Sequence, residues 1–292
     1  MSKLKLTVAI LALSVSASAV FIGCKKEGVY NPSKKISRIY KQPQGGAKNL
    51  DQEWTWDKNL LTKVQGYSGN KPAGDVRYKY EKKRLVKMDW SSGLEAKITY
   101  NGNLYNKVEW SYNGRILQSA KFTYDKKKVS KIEVTEFGDD YYSTSHDVMA
   151  SLSDFLPVEV VRDFERMESE PTQKARQKDG STSYTVSFKY KKENVSECVY
   201  EERGEDWSYK ETHTYEKYDN KANPLYKSLE LDGDSKNNPL EVTVNVTETD
   251  SEPYRYTISY EYTYDGKFPT EVIRISKNNY GQDRSTTYYE YK

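Results

Sequence analysis

Residues 96–135 read AKITY, NGN, LYNKVEWSY, NGR, ILQSAKFTY, DKKK, VSKIEVT: four alternating runs separated by three short turns. Ala96, Ile98 and Tyr100 alternate with Lys97 and Thr99, and Val108, Trp110 and Tyr112 with Lys107, Glu109 and Ser111. A period of two marks a strand with one buried face. Asn101-Gly102 and Asn113-Gly114 are strong hairpin signals, because a tight turn between twisted strands needs residues that tolerate positive φ. The stretch predicts an antiparallel meander in which each strand pairs with the next.

Outward from there the pattern repeats. An aromatic anchor and a turn are followed by an aliphatic near +5, Lys near +7 and an aliphatic at +8. Trp56 leads to Leu61, Lys63 and Val64; Tyr80 leads to Leu85, Lys87 and Met88; Tyr124 leads to Val129, Lys131 and Ile132. Tyr100 leads to Lys107 and Val108, and Tyr264 to Glu271 and Val272. Tyr190 leads to Val195, Glu197 and Cys198, so Cys198 reads as a small core residue. Tyr30-Asn31 and Tyr218-Asp219 open longer turns holding Asn and Pro.

A period near 24 residues fits two strands and two turns, one unit used many times. The interval from Tyr218 to Tyr264 counts as two such periods, with Asp232-Gly233-Asp234 and Asn237-Asn238-Pro239 as turns. Residues 254–264 put Tyr254, Tyr256, Ile258, Tyr260, Tyr262 and Tyr264 on one face. In total about 16–18 strands are expected. So many strands curl or close, and closure removes exposed edges. The expected fold is all-β, a large antiparallel meander closed or curled into a barrel, with its charged face in water.

Residues 139–180 break the pattern. Val148, Met149, Leu152, Phe155 and Leu156, then Val160, Val161, Phe164 and Met167, have helical spacing, with Ser145 as a cap and Pro157 between the stripes. They predict an α-helical insertion that packs on the sheet or plugs one end. The division is therefore a leader at 1–23, a tether at 24–29 and a single β-repeat domain at 30–292 interrupted by 139–180.

The leader carries Lys3 and Lys5 before an apolar run, the form of an export signal. Ala17-Ser18-Ala19 offers an ordinary cleavage site. Phe21-Ile22-Gly23-Cys24 offers a lipobox, with Cys24 as the lipid attachment site, and is preferred because the early Cys closes the apolar run. The expected location is the cell envelope, as an outer-membrane lipoprotein facing the periplasm or the surface.

Charged residues reach 30% and Tyr occurs 27 times, against 36% apolar residues. Abundant aromatics and β-branched residues exclude disorder, so the low hydrophobicity reads as a sheet with one wet face. The net charge is +3 with signs interspersed, which predicts no basic stripe for nucleic acid. No nucleophile, metal or phosphate-binding signature is present. His146 and His213 read as separate surface histidines, and Glu201-Glu202 as an exposed strand-end pair. No cofactor and no metal are expected. Trp90 and Trp110 occupy repeat core positions, which leaves Trp54 and Trp207 as candidates for surface stacking, although both also suit the core.

Tyr112-Asn113-Gly114-Arg115-Ile116 and Tyr218-Asp219-Asn220-Lys221-Ala222-Asn223-Pro224-Leu225 resemble degenerate YD (RHS-like) repeats. With the lipobox and the repeat length, the mature chain resembles a Bacteroidetes lipoprotein family of unknown function. That resemblance implies a porin-like β-barrel and an envelope location, and carries no residue roles. The leading expectation is a non-catalytic envelope binding module for a glycan or an envelope protein. Behind it stand a structural scaffold lipoprotein and a glycan-acting enzyme. Tyr141, Tyr142, His146 and Trp207, near the insertion, are the expected ligand contacts.

Overall fold

A computed structural model describes residues 32–137, 183–204, 206–226 and 235–292. The leader, Cys24, Tyr30, the expected helices at 139–180 with Tyr141, Tyr142 and His146, and Asp232-Gly233-Asp234 lie outside the described residues.

The first eight strands are β1 (Ile36–Pro43), β2 (Asn49–Asp57), β3 (Leu60–Ser68), β4 (Lys71–Glu81), β5 (Arg84–Trp90), β6 (Leu94–Asn101), β7 (Leu104–Tyr112) and β8 (Arg115–Asp125). The second eight are β9 (Lys128–Glu136), β10 (Ser183–Lys191), β11 (Asn194–Arg203), β12 (Ser208–Tyr218), β13 (Pro239–Glu248), β14 (Tyr254–Asp265), β15 (Phe268–Asn278) and β16 (Gly281–Tyr291). Each pairs antiparallel with its neighbours in sequence, and β1 pairs with β16, so the sheet closes into a barrel. Every described element is a strand. The chain enters β1 at one end, here called proximal; the other end is distal.

Residues paired directly across two strands share a face, and the buried set shows which face is inside. Leu61, Met88, Val108, Trp110, Ile132, Cys198, Val244 and Ile258 are fully buried and belong to one cluster that runs round the barrel. Only the interior of a closed barrel can bury one face of nearly every strand. A circular sixteen-stranded barrel encloses water, yet even Ala96 and Ala120 are fully buried, so the interior around them is filled. The outer face carries Thr together with Lys, Glu and Asp, whose ion pairs run along and across strands. Lys87 meets Asp89 and Glu95 at 2.7 Å each, and Lys79 meets Asp89 at 2.6 Å. A membrane-spanning barrel has the reverse arrangement, with an apolar band facing lipid.

The repeat has a structural cause. Anchors that open a short turn face their own +5 residue across the hairpin: Trp56 and Leu61, Tyr80 and Leu85, Tyr100 and Tyr105, Tyr124 and Val129, Tyr190 and Val195. The register then slips, so that the +7 residue faces the one before the anchor, as Lys63 faces Thr55 and Lys131 faces Thr123. This is a bulge, which strengthens twist and helps a sheet curl. The hydroxyl of the extra +6 residue donates to the carbonyl before the anchor, from Thr62 to Thr55 and from Ser130 to Thr123. The last or near-last inward aromatic of an even strand bonds a carbonyl on the strand before it. Tyr80 reaches Leu61 at 2.8 Å, Tyr100 reaches Leu85 at 2.6 Å, Tyr218 reaches Val195 at 2.6 Å and Tyr291 reaches Pro269 at 2.6 Å. Abundant tyrosine thus meets two needs, apolar area inside and a donor for interior backbone.

Several expectations change. Among the described residues, the interval from Tyr218 to Tyr264 holds two strands, β13 and β14, and parts of the connection from β12 to β13, where two repeat periods would hold four strands. Asp219 organises that connection by accepting from the backbone of Lys221 and Asn238, both at 3.0 Å. Ala222 bonds to Lys267 and Lys236 to Glu193, which straps the connection across the proximal end. Leu225 from this strap is buried in the core cluster. The turn after β6 is Gly102-Asn103, one residue later than expected, with positive φ at Gly102 and not at Asn101; Asn113-Gly114 takes positive φ at both residues. Trp54 is 7% exposed and so belongs to the core, its ring nitrogen held by Gln52.

Candidate functional site

Inside, the two ends differ. The proximal interior is lined by Leu61, Leu85, Tyr105, Val129 and Val195. The distal interior between β8 and β12 is lined by polar groups. Gln118 is fully buried and donates to Glu136 at 3.2 Å and to the Tyr184 hydroxyl at 3.1 Å. Tyr200 donates to Glu202 at 2.7 Å, and Tyr209 to Glu211 at 2.6 Å. The other oxygen of Glu211 meets Nε2 of His213.

The pairing explains why these residues face inward. Glu202 lies across from Tyr184 and Tyr209, Glu211 from Tyr200 and Val246, and His213 from Cys198 and Val244. Buried carboxylates are tolerable when they accept several hydrogen bonds, and each of these accepts from a tyrosine on its own strand. Burial first, then the adjacent Glu211 carboxylate, pushes the Tyr209 phenol well above the usual range, so it stays a donor at any physiological pH. Among the described residues no group of three or more His, Cys, Asp and Glu has the geometry to hold a metal ion.

This corrects two readings. His213 is an interior residue, 1% exposed, not a surface one, and Glu202 is 5% exposed. Glu201 does face outward, towards Lys210 and Arg203. The signals were present. In YKETHTY, Tyr209, Glu211, His213 and Tyr215 alternate with Lys210, Thr212 and Thr214, so the acid and the imidazole share the tyrosine face. Glu136 and Glu202 also stand at the same repeat position, twelve after Tyr124 and Tyr190.

Trp207 sits in the turn between β11 and β12, at the distal rim, half-buried. Gly204 donates its amide to the Trp207 carbonyl at 2.9 Å. A Cβ on Gly204 would fall 2.1 Å from the indole nitrogen, so only glycine lets the ring lie against the turn. The chain leaves β9 and re-enters β10 at this same rim. The structure therefore sets Trp207 one hairpin away from the ends of the segment that carries Tyr141, Tyr142 and His146.

No protein-family model matches the chain, and no curated protein matches it in sequence. Among solved structures it is similar to a porin-like protein from Bacteroides vulgatus ATCC 8482, with a TM-score of 0.54 and 10% identity. The match covers 89% of this chain and 99% of that one. What they share is the fold.

The rim around the polar interior is also where large apolar side chains are exposed. Tyr112, Ile116, Phe137, Tyr254 and Tyr280 are the exposed large hydrophobics among the described residues, and all five lie at the distal end. Tyr112, Ile116 and Phe137 stand at the ends of adjacent strands β7, β8 and β9, and the Phe137 amide bonds the Leu117 carbonyl at 2.7 Å.

Proposed function

We propose that the protein is an envelope lipoprotein, held by lipid on Cys24, whose distal rim binds a glycan or an envelope protein without catalysing a reaction. The observation that carries this reading is the gathering of all five exposed large hydrophobics at one rim, around an interior lined by carboxylates and tyrosines. Exposed aromatics beside satisfied polar groups suit stacking combined with hydrogen bonding. The charged outer wall supports a barrel that stands in water, so that a lipid is what attaches it to a membrane. The porin-like name of the structural neighbour and the lipobox both favour the outer membrane.

Two experiments test it. Mass spectrometry of the protein processed in a Gram-negative envelope should find an acylated Cys24 as the first residue, whereas an unmodified start at Val20 would refute lipid attachment. A screen of glycans, peptides and envelope proteins should yield a ligand whose binding falls at least ten-fold in Tyr112→Ala, Phe137→Ala or Trp207→Ala. Unchanged affinity in all three would refute the placement, and turnover of any screened compound would refute the non-catalytic reading.

A further inference from the structure

The turns of the meander alternate between the two ends, and this sorts charge. The proximal turns include Glu81-Lys82-Lys83-Arg84, Asp125-Lys126-Lys127-Lys128 and Lys191-Lys192-Glu193, joined there by Lys34, Lys35 and Lys292. Counting turn residues and chain ends among the described residues, the proximal end holds fifteen Lys and Arg against six Asp and Glu; the distal end holds four against five. Signs that look interspersed along the chain are therefore segregated in space.

Backbone conformation makes the bias sharper. Six lysines adopt positive φ: Lys58, Lys82, Lys83, Lys126, Lys127 and Lys192, every one in a proximal turn. The distal turns meet the same demand with Asn70, Asn113, Asp250 and glycines. Asn, Asp and Gly are the residues that tolerate this region at low cost. Lysine there sacrifices stability in each turn, which calls for a role other than turn formation. Other proximal bases lie over the anchor rings, Lys35 over Trp56 and Lys128 over Tyr190, which ties them to the rim. Among the described residues, Lys34 pairs with Asp265 and Lys236 with Glu193.

From this we infer that the proximal lysine crown docks on an anionic membrane surface, through the phosphates of its lipid headgroups. The chain enters the barrel at this end, at Ile36, twelve residues after Cys24. A tether of that length spans at most about 40 Å fully extended. Where the crown acts therefore rests on the lipoprotein reading: the anchor would bring the proximal face to the bilayer and turn the distal rim away from it. The attraction itself is a property of the barrel and requires no acyl chain.

The test uses the full chain carrying Cys24→Ala, which removes any acyl contribution, so failure of lipid attachment and failure of the crown remain separate results. Co-sedimentation with vesicles of phosphatidylglycerol and phosphatidylethanolamine should exceed that with phosphatidylcholine and should fall steeply as salt rises. Replacing Lys82, Lys83, Lys126 and Lys127 by Gln should weaken partition by about five-fold per lysine, several hundred-fold together, at low salt. The same four changed to Glu should abolish it. The distal control, Lys48→Gln with Lys71→Gln and Arg115→Gln, should bind as the parent does. Thermal melts verify that each variant is folded. Equal binding to neutral vesicles, or binding unaffected in the folded proximal variants, would overturn the inference. So would tight binding of soluble polyphosphate without any vesicle binding.

Discussion

Lysine at positive φ is the residue-scale feature on which stability and surface chemistry pull apart. Lys82 and Lys83 have φ of 49° and 67°, the pattern of a mirror-image two-residue turn that favours Asn-Gly. Lys82→Asn with Lys83→Gly should stabilise the fold by about 1 kcal/mol and weaken anionic vesicle binding, measured by chemical denaturation and co-sedimentation. A second residue-scale expectation concerns pH. The Tyr209 phenol is raised, by burial and then by Glu211, above its unfolded value near 10. Below that value both states hold the proton and the stabilisation is complete. Above it the unfolded chain ionises while the native chain does not, so stability falls as pH rises. Denaturation midpoints should fall less between pH 9 and pH 11 in Tyr209→Phe than in the parent; equal slopes would contradict the environment described for Tyr209. His213 shows what sequence obscures at this scale. An isolated histidine between threonines looks solvent-facing until strand phase is imposed on Glu211, His213 and the flanking tyrosines.

At the scale of elements, the hairpins were legible because one physical unit is repeated. Anchor, +5 partner, bulge and +8 aliphatic leave a fixed spacing in the sequence, and that spacing located the strands from β2 to β11. It failed between Tyr218 and Pro239, where turn-like residues help build a strap instead of a short hairpin turn. Asn and Asp serve both purposes: Asn238 bonds the Asp219 carboxylate at 3.1 Å and the Ala222 carbonyl at 3.3 Å in place of closing a two-residue turn. The strap should matter energetically, because Leu225 is 8% exposed within the core cluster. Leu225→Ala should lower unfolding free energy by about 2–4 kcal/mol in urea titrations. A loss below about 0.5 kcal/mol would mean the strap lies loosely on the proximal end.

For the whole molecule, alternation indicated that one face of the sheet is buried and the strand count that the sheet curls or closes; the pairing of β1 with β16 shows that it closes. Neither revealed what the ends carry. The acid-tyrosine interior, the apolar distal rim and the basic proximal crown arise from which turns meet at which end, and composition averages them away. Near-neutral net charge concealed an excess of nine positive charges on the described proximal turns and chain ends. The face assignment underlies every functional conclusion here. A barrel with Lys87, Asp89 and Glu95 outside and Trp110 inside belongs in water, whereas one turned the other way belongs in lipid. The most direct measurement is light scattering after size exclusion on the Cys24→Ala chain in detergent-free buffer, with maleimide labelling at Lys97→Cys and Ile98→Cys. A monodisperse monomer that labels rapidly at 97 and only after unfolding at 98 is expected. Dependence on detergent, or rapid labelling at 98 with protection at 97, would contradict the charged-outside barrel.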